Sequence, residues 1–174
     1  QQMIGTAAEL TALGMTNGSS INTLAFNLSA VESRVLQNYT IRMRHTTLTS
    51  FTSTTFVASG FTVVRNSANL TPVSGWNNIS LDTSFAWNGT DNLLIQVTFS
   101  NNDAGNVGTN TALFSTTSFA STLFYRADNE TAAVVEAATT ATFAAYSSRN
   151  NMRFGFTSQA PVTWSPITEL YTNA

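Results

Sequence analysis

Few residues in this sequence could do acid–base or nucleophilic chemistry. His45 is the single histidine and cysteine is absent, which excludes thiolate catalysis and disulfides. A general base needs a nucleophile and an orienting carboxylate beside it. His45 instead falls by parity on the Tyr39, Ile41 and Met43 side of an alternating run, and it reads as structural. The nine carboxylates are scattered: Glu9, Glu32, Asp82, Asp91, Asp103, Asp128, Glu130, Glu136 and Glu169. A glycosidase needs two of them facing one another across about 5–10 Å. No spacing here announces such a pair, so the expectation is a protein that binds without catalysing.

Binding chemistry is better represented. The polar stretch Ser100–Asn110 offers hard oxygens from Asn101, Asn102, Asp103 and Asn106, with Gly105 and Gly108 to turn the chain. Calcium takes six to eight oxygens, several from carboxylates. Only Asp103 is charged in this loop, so Asp91, Asp128 or Glu130 would have to arrive from neighbouring loops. The candidate calcium ligands are therefore Asp91, Asn101, Asp103 and Asp128, against the plainer reading of a turn-rich loop.

Sugar rings stack their C–H faces on exposed Trp or Tyr, and nearby amides and hydroxyls fix the orientation. Trp76, Trp87, Tyr125 and Tyr146 are eligible, and both Trp76 and Trp87 stand beside Asn and Gly near strand ends. The candidate glycan-binding residues are Trp76, Trp87, Tyr125 and Arg126, although Trp in a sandwich is more often core. Tyr125, with Arg126 and Asp128 close by, is the more surface-like group. Arg42 and Arg44 share one strand face and would meet carboxylates across the sheet or an acidic glycan. Seven Asn-x-Ser/Thr sequons occur, where composition alone gives about five, so they carry little weight.

The elements that must position these residues are mostly strands. Thr6 to Leu13 is the one convincing helical piece, with Thr6 and Glu9 spaced as a capping box and Gly14 to end it. After it the apolar period changes to two. Tyr39, Ile41 and Met43 alternate with Thr40, Arg42 and Arg44, and other strands run through Ile21–Phe26, Phe61–Val64 and Trp76–Leu81. Asn88-Gly89 marks a tight turn. Leu93, Ile95, Val97 and Phe99 then form the clearest strand, and Leu94 on its other side says that face is also partly covered. Leu113-Phe114, Leu123–Tyr125 and Met152, Phe154, Phe156 complete the set. Ala132–Ala145 reads as loop and strand with room for a short helix. The fold class expected is all-β: a two-sheet antiparallel β-sandwich of jelly-roll type with one short N-terminal helix. Residues 1–160 would form it, and 161–174, with two prolines around a Trp, reads as a linker or the start of a following module.

Composition narrows the partners. Charged residues are 9 % of 174, against about 25 % for an average soluble domain. The seven cations are all Arg and are dispersed, which leaves no basic stripe for nucleic acid. No run of about 18 apolar residues exists, so no membrane span is expected. Gln1-Gln2-Met3 has no signal-peptide character, so either a signal has been removed or the chain was cut from a longer one. Low charge with abundant Thr and Ser suits a secreted β-protein. Sheet edges without Lys are weakly defended, which admits copies of the chain as partners.

The segments INTLAFNLS, NYTIRMRHTTLTSF, PVSGWNNISLDTSFAWNGTDNLLIQVTFSNN, TLFYRADN and NMRFGFTSQAPVTWSP resemble a recurring module of large secreted proteins of the Bacteroidetes, cargo of the type IX secretion system. The resemblance runs from Leu10 to Leu170 and is most specific over Trp76–Val97 and Asn151–Phe156. It implies a jelly-roll-like sandwich at the cell surface or outside the cell, beside immunoglobulin-like modules, in an adhesive or glycan-binding role. It implies no residue roles, and the secretion signal of such proteins is not in this chain. The leading expectation is a non-enzymatic, adhesin-like module whose partner is a glycan or another cell-surface component. The alternatives are a structural subunit that assembles into a filament or surface layer, and a carbohydrate-binding accessory module of a secreted hydrolase.

Overall fold

The computed structural model describes residues 1–32, 34–100 and 110–158. The tail read as a linker lies outside them. Nine strands build two facing antiparallel sheets. The first sheet has the order β4-β3-β6-β1-β9, with β1 at Gln2–Gly5, β3 at Leu36–Thr46, β4 at Thr62–Leu70, β6 at Asn92–Ser100 and β9 at Thr122–Leu123. The second has the order β11-β2-β5, with β2 at Ser20–Ala30, β5 at Gly75–Ala86 and β11 at Met152–Thr157. The short β7 (Thr111–Ala112) also pairs with β2, and β8 (Phe114–Thr116) pairs with β10 (Ser148–Asn150) as a separate ribbon. The helices are α1 (Ala7–Ala12) and α2 (Ala132–Ala137). Neither is long and apolar enough to cross a membrane.

The pairing β1-β6-β3-β4 against β11-β2-β5 is that of a jelly roll with one edge strand missing among the described residues. The all-β sandwich agrees with the period-two pattern and the turn signals, and the strand order, in which the chain winds from sheet to sheet, comes from the structure. Between the sheets lie Met3, Leu24, Phe26, Tyr39, Ile41, Met43, Val64, Ile79, Leu93, Ile95 and Val97, all under 9 % exposed. Every second residue of a strand points the same way, so one alternating set from each strand fills this layer.

The first sheet is buried on its other face too. Ile4 and Leu94 are fully buried among Phe51, Phe56 and Leu123, beneath a third layer made by residues 51–61 and 119–145. Polar side chains pin that layer. The buried amide of Gln2 donates to the Val57 carbonyl at 2.7 Å and accepts from its N–H at 3.0 Å, acting as a short strand partner. Arg42 pairs with Glu136 on α2 at 2.8 Å, and Arg44 donates to the Ser59 carbonyl at 2.6 Å and lies over the Phe61 ring. The two arginines on one strand face therefore anchor the covering layer, and Arg42 also donates to the Thr98 hydroxyl on β6 at 3.2 Å. The ambiguous Ala-rich stretch supplies α2, capped by Thr131.

Strand β2 holds the second sheet together through a junction of three segments of the chain. Asn27 N–H donates to Asn151 O (3.3 Å), Asn151 N–H to Leu113 O (2.8 Å) and Leu113 N–H to Asn27 O (2.8 Å). At the opposite side the Asn77 side chain closes the β4–β5 corner on Val73 N, Val73 O and Gly75 O.

The helix α1 has the expected capping box, with Thr6 and Glu9 bonded reciprocally. At six residues it depends on tertiary support, and Glu9 supplies it. Its carboxylate takes both terminal nitrogens of Arg149 from β10, at 2.9 and 2.5 Å, while Arg149 also donates to the Ile4 carbonyl. Burial pushes the Glu9 carboxyl up, but the Arg149 hydrogen bonds, the Thr6 N–H and the guanidinium charge outweigh it. Together they bring the group down from 4.5 to about 2. The stabilisation is present above pH 4.5 and lost as pH falls through 2. Solvent screening of the half-exposed carboxylate keeps it modest. Glu9→Gln should be less stable than the parent at neutral pH in urea denaturation, and the difference should close towards pH 2.

Candidate functional site

The outer face of the second sheet is the broad sheet surface that the third layer leaves open to solvent. Leu24, Phe26, Ile79, Met152, Phe154 and Phe156 point into the sandwich, so the alternate residues of the same strands point out. These are Thr23, Ala25 and Asn27 on β2, Trp76, Asn78 and Ser80 on β5, and Arg153, Gly155 and Thr157 on β11. Register places Asn27 beside Trp76, and Ala25 between Asn78 and Arg153.

Across this face the Arg153 guanidinium lies 3.8 Å from the Trp76 ring centre, the separation of a flat cation–π stack. Ala25 lies below and is 1 % exposed although it is on the outer side. A methyl is small enough for an indole and a guanidinium to close above it. Gly155 keeps the next position flat: a Cβ there would come within 2.9 Å of Thr23 Cβ. Among the described residues Arg153 has no ion pair, so the in-plane N–H donors of its fork are open to a ligand. Asn78 and Ser80 are exposed nearby, and Asn27 and Thr23 partly so. The result is an aromatic–guanidinium platform rimmed by amides and hydroxyls.

Trp76 is thus the one candidate glycan residue that stands on an open sheet face. Trp87 is corrected to core. It is 1 % exposed, its indole N–H donates to the Asp91 carbonyl at 2.7 Å, and its backbone bonds Gly18 and Ser19, so no ring face is left for a ligand. Tyr125 is half-buried against the Ile4–Leu94 cluster, and Arg126 is exposed beside it with its N–H bonded to Thr142. Both belong to the third layer, on the opposite side of the molecule from Trp76, so the four candidates do not form one site. Tyr146, 39 % exposed, stacks on Phe124, which tilts against Phe143. Arg153 went unrecognised in the sequence. Its parity opposite Phe154 and Phe156 marked it as outward, but only the register across β2 brings it to Trp76.

The calcium candidates are dispersed. Asp91 is committed to its own turn, accepting from Asn88 Nδ2 at 2.7 Å, and Asp128 is exposed in the third layer. Asn101 and Asp103 lie outside the described residues. No group of three or more His, Cys, Asp or Glu that could hold a metal is found among the described residues. His45 is structural: its Nε2 accepts the Asn88 N–H at 3.2 Å and its ring rests on Phe85. A cavity of about 360 Å³ opens between the first sheet and the third layer, with the Arg42–Glu136 pair, Gln96, Phe56 and Phe61 in its lining.

No protein-family model, curated protein or solved structure matches the chain. The two tryptophans should separate cleanly in urea denaturation. Trp87→Ala should cost about 3–5 kcal/mol as a core truncation, and Trp76→Ala about 1 kcal/mol or less for the lost cation–π contact.

Proposed function

We propose that this chain is a non-catalytic β-sandwich module of a secreted or cell-surface protein, taking part in adhesion by holding a glycan on the outer face of its second sheet. The observation that carries the reading is the Trp76–Arg153 stack on an open, polar-rimmed strand face. A pyranose ring has apolar C–H faces and a hydroxyl perimeter. The indole edge and the flat guanidinium suit the former, and the guanidinium fork, Asn78, Asn27 and Ser80 suit the latter. Neighbouring strands fix the spacing of these groups, so little ordering is lost when a ligand binds.

Extracellular placement is supported by the composition: 9 % charged residues and strand faces rich in hydroxyls and amides. Binding without turnover is supported by the platform's own residues, which are Trp, Arg, Asn, Ser and Thr with no carboxylate paired to Arg153 among the described residues.

Native affinity electrophoresis through gels cast with a panel of neutral and acidic polysaccharides tests this. At least one should retard the chain. Trp76→Ala should weaken that retardation about tenfold, the scale of one lost aromatic contact, with the folding transition intact. Retention unchanged by Trp76→Ala, or no retardation by any polysaccharide, overturns the reading.

A further inference from the structure

The second sheet ends at β11 with an open edge. Strand β11 pairs with β2 on one side, and among the described residues nothing bonds the backbone of residues 152–157 on the other. In an antiparallel strand the hydrogen-bonding groups alternate between neighbours, so part of the β11 backbone faces outward without a partner. The three core-facing side chains, Met152, Phe154 and Phe156, are only partly buried, with no further strand beside them among the described residues. This is also the edge where, among the described residues, the jelly-roll pairing lacks its flanking strand. It carries no Lys, no Pro and no inward-pointing charge, the usual defences of a free edge.

The order of residues along β11 identifies the strand that fits. Side chains opposite one another in an antiparallel pair point to the same face, so a second β11 must set apolar against apolar. A two-fold axis through Phe154 does this. Phe154 meets its own copy, Met152 meets Phe156, and Arg153 meets Gly155, where no side chain stands in the way. No like charges are opposed, and the apolar stripe continues across the junction. A pairing of this kind is self-complementary and closes after two copies.

We propose that two copies of this chain join edge to edge through β11, in antiparallel register centred on Phe154, to make one six-stranded sheet β5-β2-β11-β11-β2-β5. The two-fold axis runs perpendicular to the sheet, so both Trp76–Arg153 platforms face the same way. Five strand spacings separate the two β5 strands, about 24 Å. The dimer does not depend on what the platform binds, but it would give two sites a fixed spacing on one surface and hence avidity towards a repeating ligand.

Sedimentation equilibrium of the chain over a wide concentration range should show a monomer–dimer equilibrium. Because the chain has no cysteine, a single Phe154→Cys variant reports the register directly. Its two sulfurs would sit on facing residues within reach of a disulfide, and mild oxidation should give a covalent dimer. A Ser84→Cys control on β5, away from this edge, should stay uncrosslinked. A strictly monomeric parent chain, open-ended larger assemblies, or equal cross-linking of the two variants would each overturn the proposal.

Discussion

The first sheet is buried on both faces, and most other features follow from that. Met3 and Ile4 are adjacent on β1 and both fully buried, as are Leu93, Leu94 and Ile95 on β6. A strand whose successive residues are all apolar cannot leave one side in water without exposing roughly half of its apolar area. The sandwich partner covers only one side. The chain therefore spends residues 51–61 and 119–145 on a cover for the other, with few regular elements of its own to hold it in place. That cover is tied down by polar anchors rooted in the sheet: the Gln2 amide on Val57, Arg42 on Glu136 and Arg44 on Ser59.

This division of labour leaves the outer side of the second sheet as the sheet face that the third layer does not cover. Its inner side packs on the first sheet and its outer side has no cover among the described residues, so its outward residues are mostly polar or form flat stacks. The platform of Trp76 and Arg153 stands there because Ala25 and Gly155 are small enough to let long side chains lie down across the strands. The edge of the same sheet ends at β11, where the apolar stripe is unfinished. Face and edge thus differ in what they present, side chains on the one and backbone groups on the other.

The local features of the chain were legible in one dimension. The Thr6–Glu9 capping box depends on groups three residues apart. The Asn88-Gly89 turn depends on two neighbours, with Gly89 at φ 77° and a Cβ there placed 2.8 Å from Asn17 Cβ. The alternation along β3 and β6, and Leu94 as a sign of a second covered face, depend on a pattern within one strand. The Ala-rich stretch from 132 to 145 had neither a clean period of two nor enough length for a stable helix, so α2 emerged only with its seat on the first sheet.

The two tryptophans mark where the sequence stops and tertiary structure takes over. Trp76 and Trp87 have the same local dress of Asn and Gly near strand ends, yet one lies on an open face and the other is sealed in the core with its N–H on the Asp91 carbonyl. Tyr125 and Arg126, neighbours in sequence that looked fit to share a site with Trp76, sit on the far side of the sandwich. Arg153 and Trp76, 77 positions apart, are the pair in contact. By itself the sequence determined strand character, the helix cap, the tight turn and the absence of cysteine chemistry, because each rests on residue type and spacings of a few residues. Which face stays wet, which aromatic meets which cation and which edge stays open were decided only by tertiary structure, because each depends on register between strands distant in the chain.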